Sequence, residues 1–302
     1  MDKCKNNKSL VDYIMGFSAV NVARTCKGEI TMTLDERIER DLTELYEGKE
    51  ISCAKNLQAV IEISAKGLPQ HFVGDRNAKT VFVQLNPGQD VKKADDDFNT
   101  VTANYDRKNA ASFIKDYISA KINFGNEDKE RKDSFDEKQA AFLKYFEDSG
   151  VDIPEQFPEE RTDELCKLAK QNVLMQKCQL ELLPYCSAKF RINKKNLNFL
   201  KPFVETLIDE IFRVERKYVI FGSAIFVDLF KKMQSENIQV EFLKEETIQP
   251  IKNPLKAQLV KITKGGKSIN AVIARSFARQ DIGRAYKDMA EYGKMCFEML
   301  KH

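Results

Sequence analysis

Short apolar runs that end at turn residues alternate with amphipathic stretches along this chain. The first apolar run covers residues 81–85 and is followed by Asn86, Pro87 and Gly88. A run this apolar is typical of a buried central strand, because a strand covered on only one face would alternate apolar and polar residues. Pro87 has no backbone donor and Gly88 can adopt positive φ, so the chain is expected to leave the sheet there.

The same reasoning predicts further strands and the helices between them. Strands are expected at 180–185, 218–221, 258–263 and 268–274, the last two joined by a Lys264-Gly-Gly-Lys267 hairpin turn. Apolar residues at helical spacing predict helices at 34–48, 53–65, 108–121, from 134, from 162, and at 196–216, 224–233 and 282–300. Thr33 with Glu36, and Ser134 with Glu137, form capping-box patterns at two helix starts.

This alternation of strands and helices predicts an α/β fold. We expect a three-layer α/β/α arrangement in which a mostly parallel central sheet has helices on both faces and the strands near 81–85, 180–183 and 218–221 are adjacent. The chain is interpreted as a single domain over 1–302. Residues 1–78 would form an N-terminal helical segment, and residues 90–178 a helical insertion between the first two core strands.

Composition narrows the classes of function. The 49 basic and 46 acidic residues give a net charge of +3, which excludes a globally basic nucleic-acid binder but allows a local basic patch. The seven cysteines include no Cys-x-x-Cys pair, so we expect neither a metal cluster nor another cofactor. The apolar run at 14–20 is too short to span a bilayer. We therefore expect a soluble cytoplasmic protein with reduced cysteines and no membrane partner.

Histidine chemistry is limited by the presence of only two histidines, His71 and His302. A serine-histidine-aspartate triad would depend on His71 alone. This residue follows Gly67-Leu-Pro-Gln70, which indicates a loop, so we expect His71 to be a surface turn residue.

Several predicted strands end in residues that could contact a ligand. The carboxyl ends of parallel strands are where α/β sheets bind ligands. These ends are Asn86-Pro87-Gly88, Pro184-Tyr185, Gly222-Ser223 and the segment 274–277. In this order they resemble the uracil-DNA glycosylase superfamily. Members carry a Gly-x-Asn-Pro-Gly or related motif, a proline-aromatic strand end, a strand-glycine-helix unit, and a His-Pro-Ser or Asn-Pro-Ser loop before the last helix. The resemblance covers residues 79–90 and 180–302.

The resemblance implies roles for individual residues. Asn86 would position the attacking water at the glycosidic carbon. Arg275 stands in the loop where the family has a histidine, and it either substitutes for that histidine by stabilising an anionic leaving group or a phosphate, or is a surface arginine beside a helix start. Gln84 occupies the place of the family's first glycine. The residues expected to contact substrate are Gln84, Pro87, Gly88, Pro184, Tyr185, Gly222, Ser223, Ser276 and Phe277. Phe98 and Tyr105 would either stack on a base or be buried against the insertion.

Two further features can be interpreted as phosphate contacts. The segment 187–195 contains Lys189, Arg191 and Lys194 interleaved with aromatic and aliphatic residues, as expected for contact with a nucleic-acid backbone, although basic loops are also common on surfaces. Ser223 stands at a helix start, where free amides bind phosphate or where its hydroxyl simply caps the helix.

The sequence therefore predicts a protein that binds DNA or a nucleobase and resembles DNA glycosylases. Three alternatives stay open. The protein hydrolyses the N-glycosidic bond of a deaminated base, it has kept the fold as a non-catalytic binding protein, or it acts on an unrelated small molecule in the same strand-end cleft.

Overall fold

The computed structural model describes residues 32–88, 110–121, 135–233, 237–249, 254–278 and 286–301. Within these ranges the α-helices are α1 (Leu34–Tyr46), α2 (Ser52–Leu57), α3 (Ala110–Ile118), α4 (Phe135–Leu143), α5 (Asp163–Gln176), α6 (Lys201–Arg213), α7 (Ile225–Lys232) and α8 (Tyr286–Lys301). The strands are β1 (Phe72–Gly74), β2 (Thr80–Gln84), β3 (Cys178–Glu181), β4 (Tyr218–Phe221), β5 (Ile238–Ile248), β6 (Leu255–Lys264) and β7 (Lys267–Ile273). A 3-10 helix, Lys194–Leu200, precedes α6.

The seven strands form one mixed sheet in the order β1-β3-β2-β4-β7-β6-β5. The predicted adjacency of the strands near 81–85, 180–183 and 218–221 is confirmed, because β2 lies between β3 and β4 and is parallel to both. The sheet is not mostly parallel, however. β4 and β7 extend the parallel centre, whereas β1 pairs antiparallel with β3, and the β7-β6-β5 edge is also antiparallel.

Short connections explain the antiparallel edge. A parallel neighbour needs a long crossover, whereas a two-residue turn can join only antiparallel strands. Gly265 and Gly266 form that turn with φ of +55° and +78°, which confirms the predicted hairpin between β6 and β7. The strand β5 was not predicted, because its second half carries a series of charged residues that masks the strand pattern.

The described residues divide into two compact units. The first unit comprises residues 32–69, 86–88, 110–118 and 183–208, and the second comprises 70–85, 119–121, 135–182, 209–233, 237–249, 254–278 and 286–301. Every strand named above lies in the second unit. The single domain over 1–302 stays a prediction, and each unit is described by itself below.

In the second unit, helices cover both faces of the sheet. On one face, Phe82 of β2 contacts Phe142 of α4 with ring centroids 6.2 Å apart, and Tyr292 of α8 lies 5.7 Å from Phe142. On the other face, Phe221 of β4 contacts Phe226 and Phe230 of α7 at 4.9 and 5.0 Å. These contacts establish the α/β class and agree with three layers in this unit.

The predicted helix starts that have a capping side chain agree best with the structure. Thr33 and Glu36 form the predicted capping box at α1, and Thr162 caps α5. The predicted helix at 53–65 is shorter, since α2 ends at Leu57 and the Gln58 side chain donates to the carbonyl of Ile63 in the following turn.

The two segments predicted to be helical, 1–78 and 90–178, also need correction, and some of their residues lie outside the described ranges. The helical segment 1–78 contains the strand β1 as well as α1 and α2. The insertion 90–178 contributes α3, α4 and α5, but β3 already begins at Cys178. Ser134, Phe98 and Tyr105 lie outside the described residues.

Candidate functional site

Asn86 is held in place by its own side-chain amide. Its Nδ2 donates to Ser187 Oγ at 2.8 Å, to the carbonyl of Pro87 at 3.0 Å and, over a longer distance of 3.4 Å, to the carbonyl of Tyr185. Asn86 Oδ1 forms no hydrogen bond with a described residue, and the side chain is only partly buried. The amide nitrogen therefore fixes the group, and the oxygen is left able to accept from water or a ligand.

Backbone hydrogen bonds with Pro87 and Ser64 hold the start of the segment that follows Tyr185. The backbone N–H of Ser187 donates to the carbonyl of Pro87 at 3.1 Å, and that of Ser64 donates to the carbonyl of Cys186 at 3.0 Å. Ser187 is buried, with 2% of its surface exposed. We call these contacts of Asn86, Pro87 and Ser187 the loop clamp.

The clamp carries a basic segment, residues 187–195, whose charged side chains are exposed and which we call the basic loop. Lys189, Arg191, Lys194 and Lys195 are all exposed. Asn193 ends the loop by accepting from the N–H of Lys195 at 2.9 Å, which starts the 3-10 helix. The structure thus presents the predicted phosphate-contacting residues Lys189, Arg191 and Lys194 to solvent.

Pro184 and Tyr185 are core residues of the first unit. Tyr185 is 2% exposed, and its hydroxyl donates to Asp41 Oδ2 at 2.9 Å. Burial, followed by the charge of Asp41, raises the pKa of Tyr185 well above its ordinary value. Substrate contact by Pro184 and Tyr185 stays a prediction that this burial does not favour.

Gly88 is exposed and does not adopt a positive φ. A Cβ there would meet no described atom within 4 Å. Gly88 therefore does not adopt the positive φ that the sequence analysis considered, and no described atom packs so closely that a glycine is required there.

In the second unit, Gln84 and Gly222 approach each other closely. A Cβ on Gly222 would lie 2.4 Å from Oε1 and 2.6 Å from Nε2 of Gln84, so the Gln84 amide occupies the space that a side chain at 222 would need. Gln84 is 6% exposed, and its buried Nε2 has no hydrogen-bond partner among the described residues.

Ser223 precedes α7 but caps it only weakly. Its Oγ accepts from the N–H of Ile225 at 3.4 Å, and the N-cap residue itself, Ala224, makes no side-chain capping bond. Both predicted roles of Ser223 stay predictions.

The predicted leaving-group residue, Arg275, is tied to its surroundings. Its Nη1 donates to the carbonyl of Pro254 at 3.1 Å, and its backbone N–H donates to the Tyr292 hydroxyl at 3.0 Å. Ser276 Oγ accepts from the N–H of Ala278 at 3.3 Å.

Phe277 is fully buried, and its ring lies edge-on to Phe82 and Phe142 at 5.4 and 5.3 Å. These contacts make it a core residue. Substrate contact by Phe277 is not favoured by its position.

Sequence reasoning missed several buried ionisable residues, among them His71 and Glu181. His71 is 2% exposed, so the prediction of a surface turn residue is wrong, because β1, which was not predicted, begins at the next residue. The N–H of Glu181 donates to the carbonyl of His71 at 3.2 Å. Glu181 is 5% exposed, and desolvation raises its pKa to about 8. A glutamate inside the apolar run 180–183 was the signal that could have identified it.

Glu181 ends a row of buried polar side chains on one face of β3, which we call the polar row: Lys177, Gln179 and Glu181. Lys177 Nζ donates to Asp136 Oδ1 at 3.1 Å, to Gln179 Oε1 at 2.9 Å and to Gln139 Oε1. Gln179 Nε2 donates in turn to Glu181 Oε1 at 2.7 Å. Burial lowers the pKa of Lys177, and Asp136 opposes that change.

The predicted site residues fall in both units. Asn86, Pro87, Gly88, Pro184, Tyr185 and the basic loop belong to the first unit, and Gln84, Gly222, Ser223, Arg275, Ser276 and Phe277 belong to the second. In the described part of the chain, no three histidine, cysteine, aspartate or glutamate side chains are grouped so as to hold a metal ion. No helix of the described residues is long and apolar enough to cross a membrane. No protein-family model, curated protein or solved structure matches the chain.

Proposed function

We propose that the protein binds nucleic acid through the basic loop of its first unit. The observation that carries the proposal is the exposure of four basic side chains on one short segment that the loop clamp holds at its base. Phosphates neutralised by lysine and arginine release counterions, which supplies most of the affinity of non-specific nucleic-acid binding.

The local charge supports this proposal. Residues 187–200 contain no aspartate or glutamate, although the whole chain is nearly balanced. Lys189, Arg191 and Lys195 form no ion pair with a described residue. Phe190 lies between two of the basic residues and is partly exposed, so its ring is available to stack on an unpaired base. Single-stranded nucleic acid is therefore the favoured form.

Charge reversal tests the proposal. The triple variant K189E/R191E/K194E should weaken binding of a single-stranded DNA oligonucleotide by more than about tenfold at moderate salt, and wild-type affinity should fall steeply as salt rises. The matched control K167E/K261E/K287E makes the same change in net charge at three exposed lysines outside the loop. Equal losses in the two triple variants, or an affinity that ignores salt, would remove the basic loop from the proposal.

A second candidate function, hydrolysis of an N-glycosidic bond in a uracil-DNA-glycosylase-like fold, is favoured by Asn86. Its Nδ2 is fixed by the loop clamp, and its Oδ1 makes no hydrogen bond with a described residue. An amide oxygen held in this way can orient a water.

Single-turnover assays on oligonucleotides containing uracil, hypoxanthine or xanthine test this candidate. Asn86→Ala should lower the rate of base release far more than it lowers oligonucleotide affinity, and Arg275→Ala should lower it less. Base release that is unchanged in Asn86→Ala would assign the chemistry to another residue. No release above background by the wild type would leave the non-catalytic binding protein as the proposal.

The cysteines support a reducing, cytoplasmic location as part of this proposal. Cys166, Cys178 and Cys296 are free thiols, and the last two are buried. Disulfides are rare in the cytosol, so free buried thiols agree with that compartment.

A further inference from the structure

Polar side chains meet at neighbouring strand ends in the second unit. β1, β3, β2 and β4 are consecutive in the sheet. Gln84 at the end of β2 pairs in register with Glu181 at the end of β3, and the N–H of Glu181 bonds to the carbonyl of His71, just before β1. Residues directly opposite each other on adjacent strands project to the same face of a sheet. His71, Glu181 and Gln84 therefore share one face at this edge.

Two polar atoms in this group have unused hydrogen-bonding capacity. Gln84 Nε2 and Glu181 Oε2 are both buried, and neither forms a hydrogen bond with a described residue. A buried polar atom without a hydrogen-bond partner destabilises the folded state, so folded proteins retain very few of them. Gln84 and Glu181 are neighbours across a strand pair, so two such atoms side by side point to a partner that the described residues do not supply.

The hydrogen bonds of Glu181 define what that partner must offer. Gln179 donates to Glu181 Oε1, so the proton of the uncharged carboxyl group lies on Oε2. Burial keeps Glu181 uncharged at neutral pH by raising its pKa to about 8. Oε2 and Gln84 Nε2 are then both donors, and a ligand that satisfies both must supply acceptors.

The surrounding charges favour a ligand without a charge of its own. The ionisable side chains on this face of the sheet and on α4, which packs against it, include His71 and Lys177 together with Asp136, Glu137 and Lys138 of α4, and Glu137 is paired with Arg161. Lys177 is already engaged by Asp136 and by two glutamine oxygens. A buried anion without a counter-charge is strongly disfavoured.

We propose that Gln84 and Glu181 form a binding site for a small uncharged molecule that accepts hydrogen bonds through carbonyl oxygens. The site lies wholly in the second unit and is independent of the basic loop. Gly222 belongs to it, because the absence of a side chain there leaves the space in which the Gln84 amide lies.

The test is an NMR titration of the full chain with succinimide, an uncharged dicarbonyl compound, which follows the side-chain amide resonances of Gln84 where that residue is present and the backbone amide resonance of Gly222 in every variant. We expect a saturable shift that Gln84→Met and Glu181→Met weaken by about tenfold each, the value of one hydrogen bond. Glu181→Gln should retain binding, because its amide nitrogen donates where Oε2 did. The control Gln239→Met makes the same change at an exposed position of β5 and should bind like the wild type.

Two further controls test whether the Gln84→Met variant folds and whether the charge of the ligand affects binding. Gln84→Met removes a nitrogen that bonds to no described residue, so the variant should fold, which circular dichroism verifies. Succinate should bind more weakly than succinimide because it is charged. The proposal is overturned if the Gln84 resonances show no saturable shift, if both methionine variants bind succinimide like the wild type, or if succinate binds more tightly.

Discussion

The basic loop and the polar row place the same residue type in opposite environments. Lys189 is exposed and forms no ion pair with a described residue, whereas Lys177 is fully buried and donates to three oxygen atoms. An exposed charge is solvated by water and can contact a binding partner. A buried charge has lost that solvation and must be stabilised by hydrogen bonds or an opposite charge within the protein. Residues of one charged type are therefore left exposed in one unit, where we propose that they bind nucleic acid, and are hydrogen-bonded within the fold in the other.

The largest expected effect concerns the pH dependence of stability through Glu181. Its pKa is raised from 4.5 to about 8 by burial, so the unfolded chain releases this proton first as pH rises. The contribution of Glu181 to stability is complete below pH 4.5 and is lost as pH approaches 8. At about 1.4 kcal/mol per pKa unit, the upper bound of the loss is roughly 5 kcal/mol.

Urea denaturation between pH 4.5 and 8.5 measures this effect. The difference in unfolding free energy between Glu181→Gln and the wild type isolates Glu181 from other titrating groups, and it should shift steadily in favour of the variant over this range. A difference in unfolding free energy that does not change with pH would mean that burial does not raise the pKa of Glu181. The contrast between buried and exposed ionisable groups would then not hold for this residue.

The second effect compares matched substitutions of the two lysines. Lys177→Met leaves Asp136, Gln139 and Gln179 without their shared donor, and breaking a buried pair from one side costs about 3–5 kcal/mol. Lys189→Met should change the unfolding free energy by less than about 0.5 kcal/mol, since it alters an exposed side chain. Chemical denaturation of both variants at pH 7 gives the comparison, and similar losses in the two would contradict it.

The smallest effect concerns the loop clamp. Ser187→Ala removes the 2.8 Å acceptor of Asn86 Nδ2, which keeps its bonds to Pro87 and Tyr185, so the expected loss is about 1 kcal/mol. Ser223→Ala is the control, because the hydroxyl of Ser223 makes a capping bond of 3.4 Å and should contribute less. Thermal denaturation of the two variants distinguishes them. A loss in Ser187→Ala no greater than that in Ser223→Ala would show that the clamp does not depend on Ser187.

The candidate sites could be predicted from sequence only in part. Asn86 and the basic loop follow recognisable local signals, a strand that ends at Asn-Pro-Gly and a cluster of basic residues. The contact between Asn86 and Ser187 joins residues that are 101 positions apart, and no local pattern indicates it. Tyr185 and Phe277 show the reverse error. Each lies beside a strand end, but neighbouring helices bury it, which a one-dimensional pattern does not record.

The sequence by itself determined the strands of the parallel centre, the helix starts at Thr33 and Thr162, the β6-β7 hairpin and the charge of the basic loop. Each of these depends on spacing, caps or turn residues within a few positions. Only the tertiary structure decided that β1 and β5 complete the sheet, that His71 is buried, and that Glu181 faces Gln84. Those outcomes depend on which distant strands become neighbours, because burial and register arise between segments and not within them.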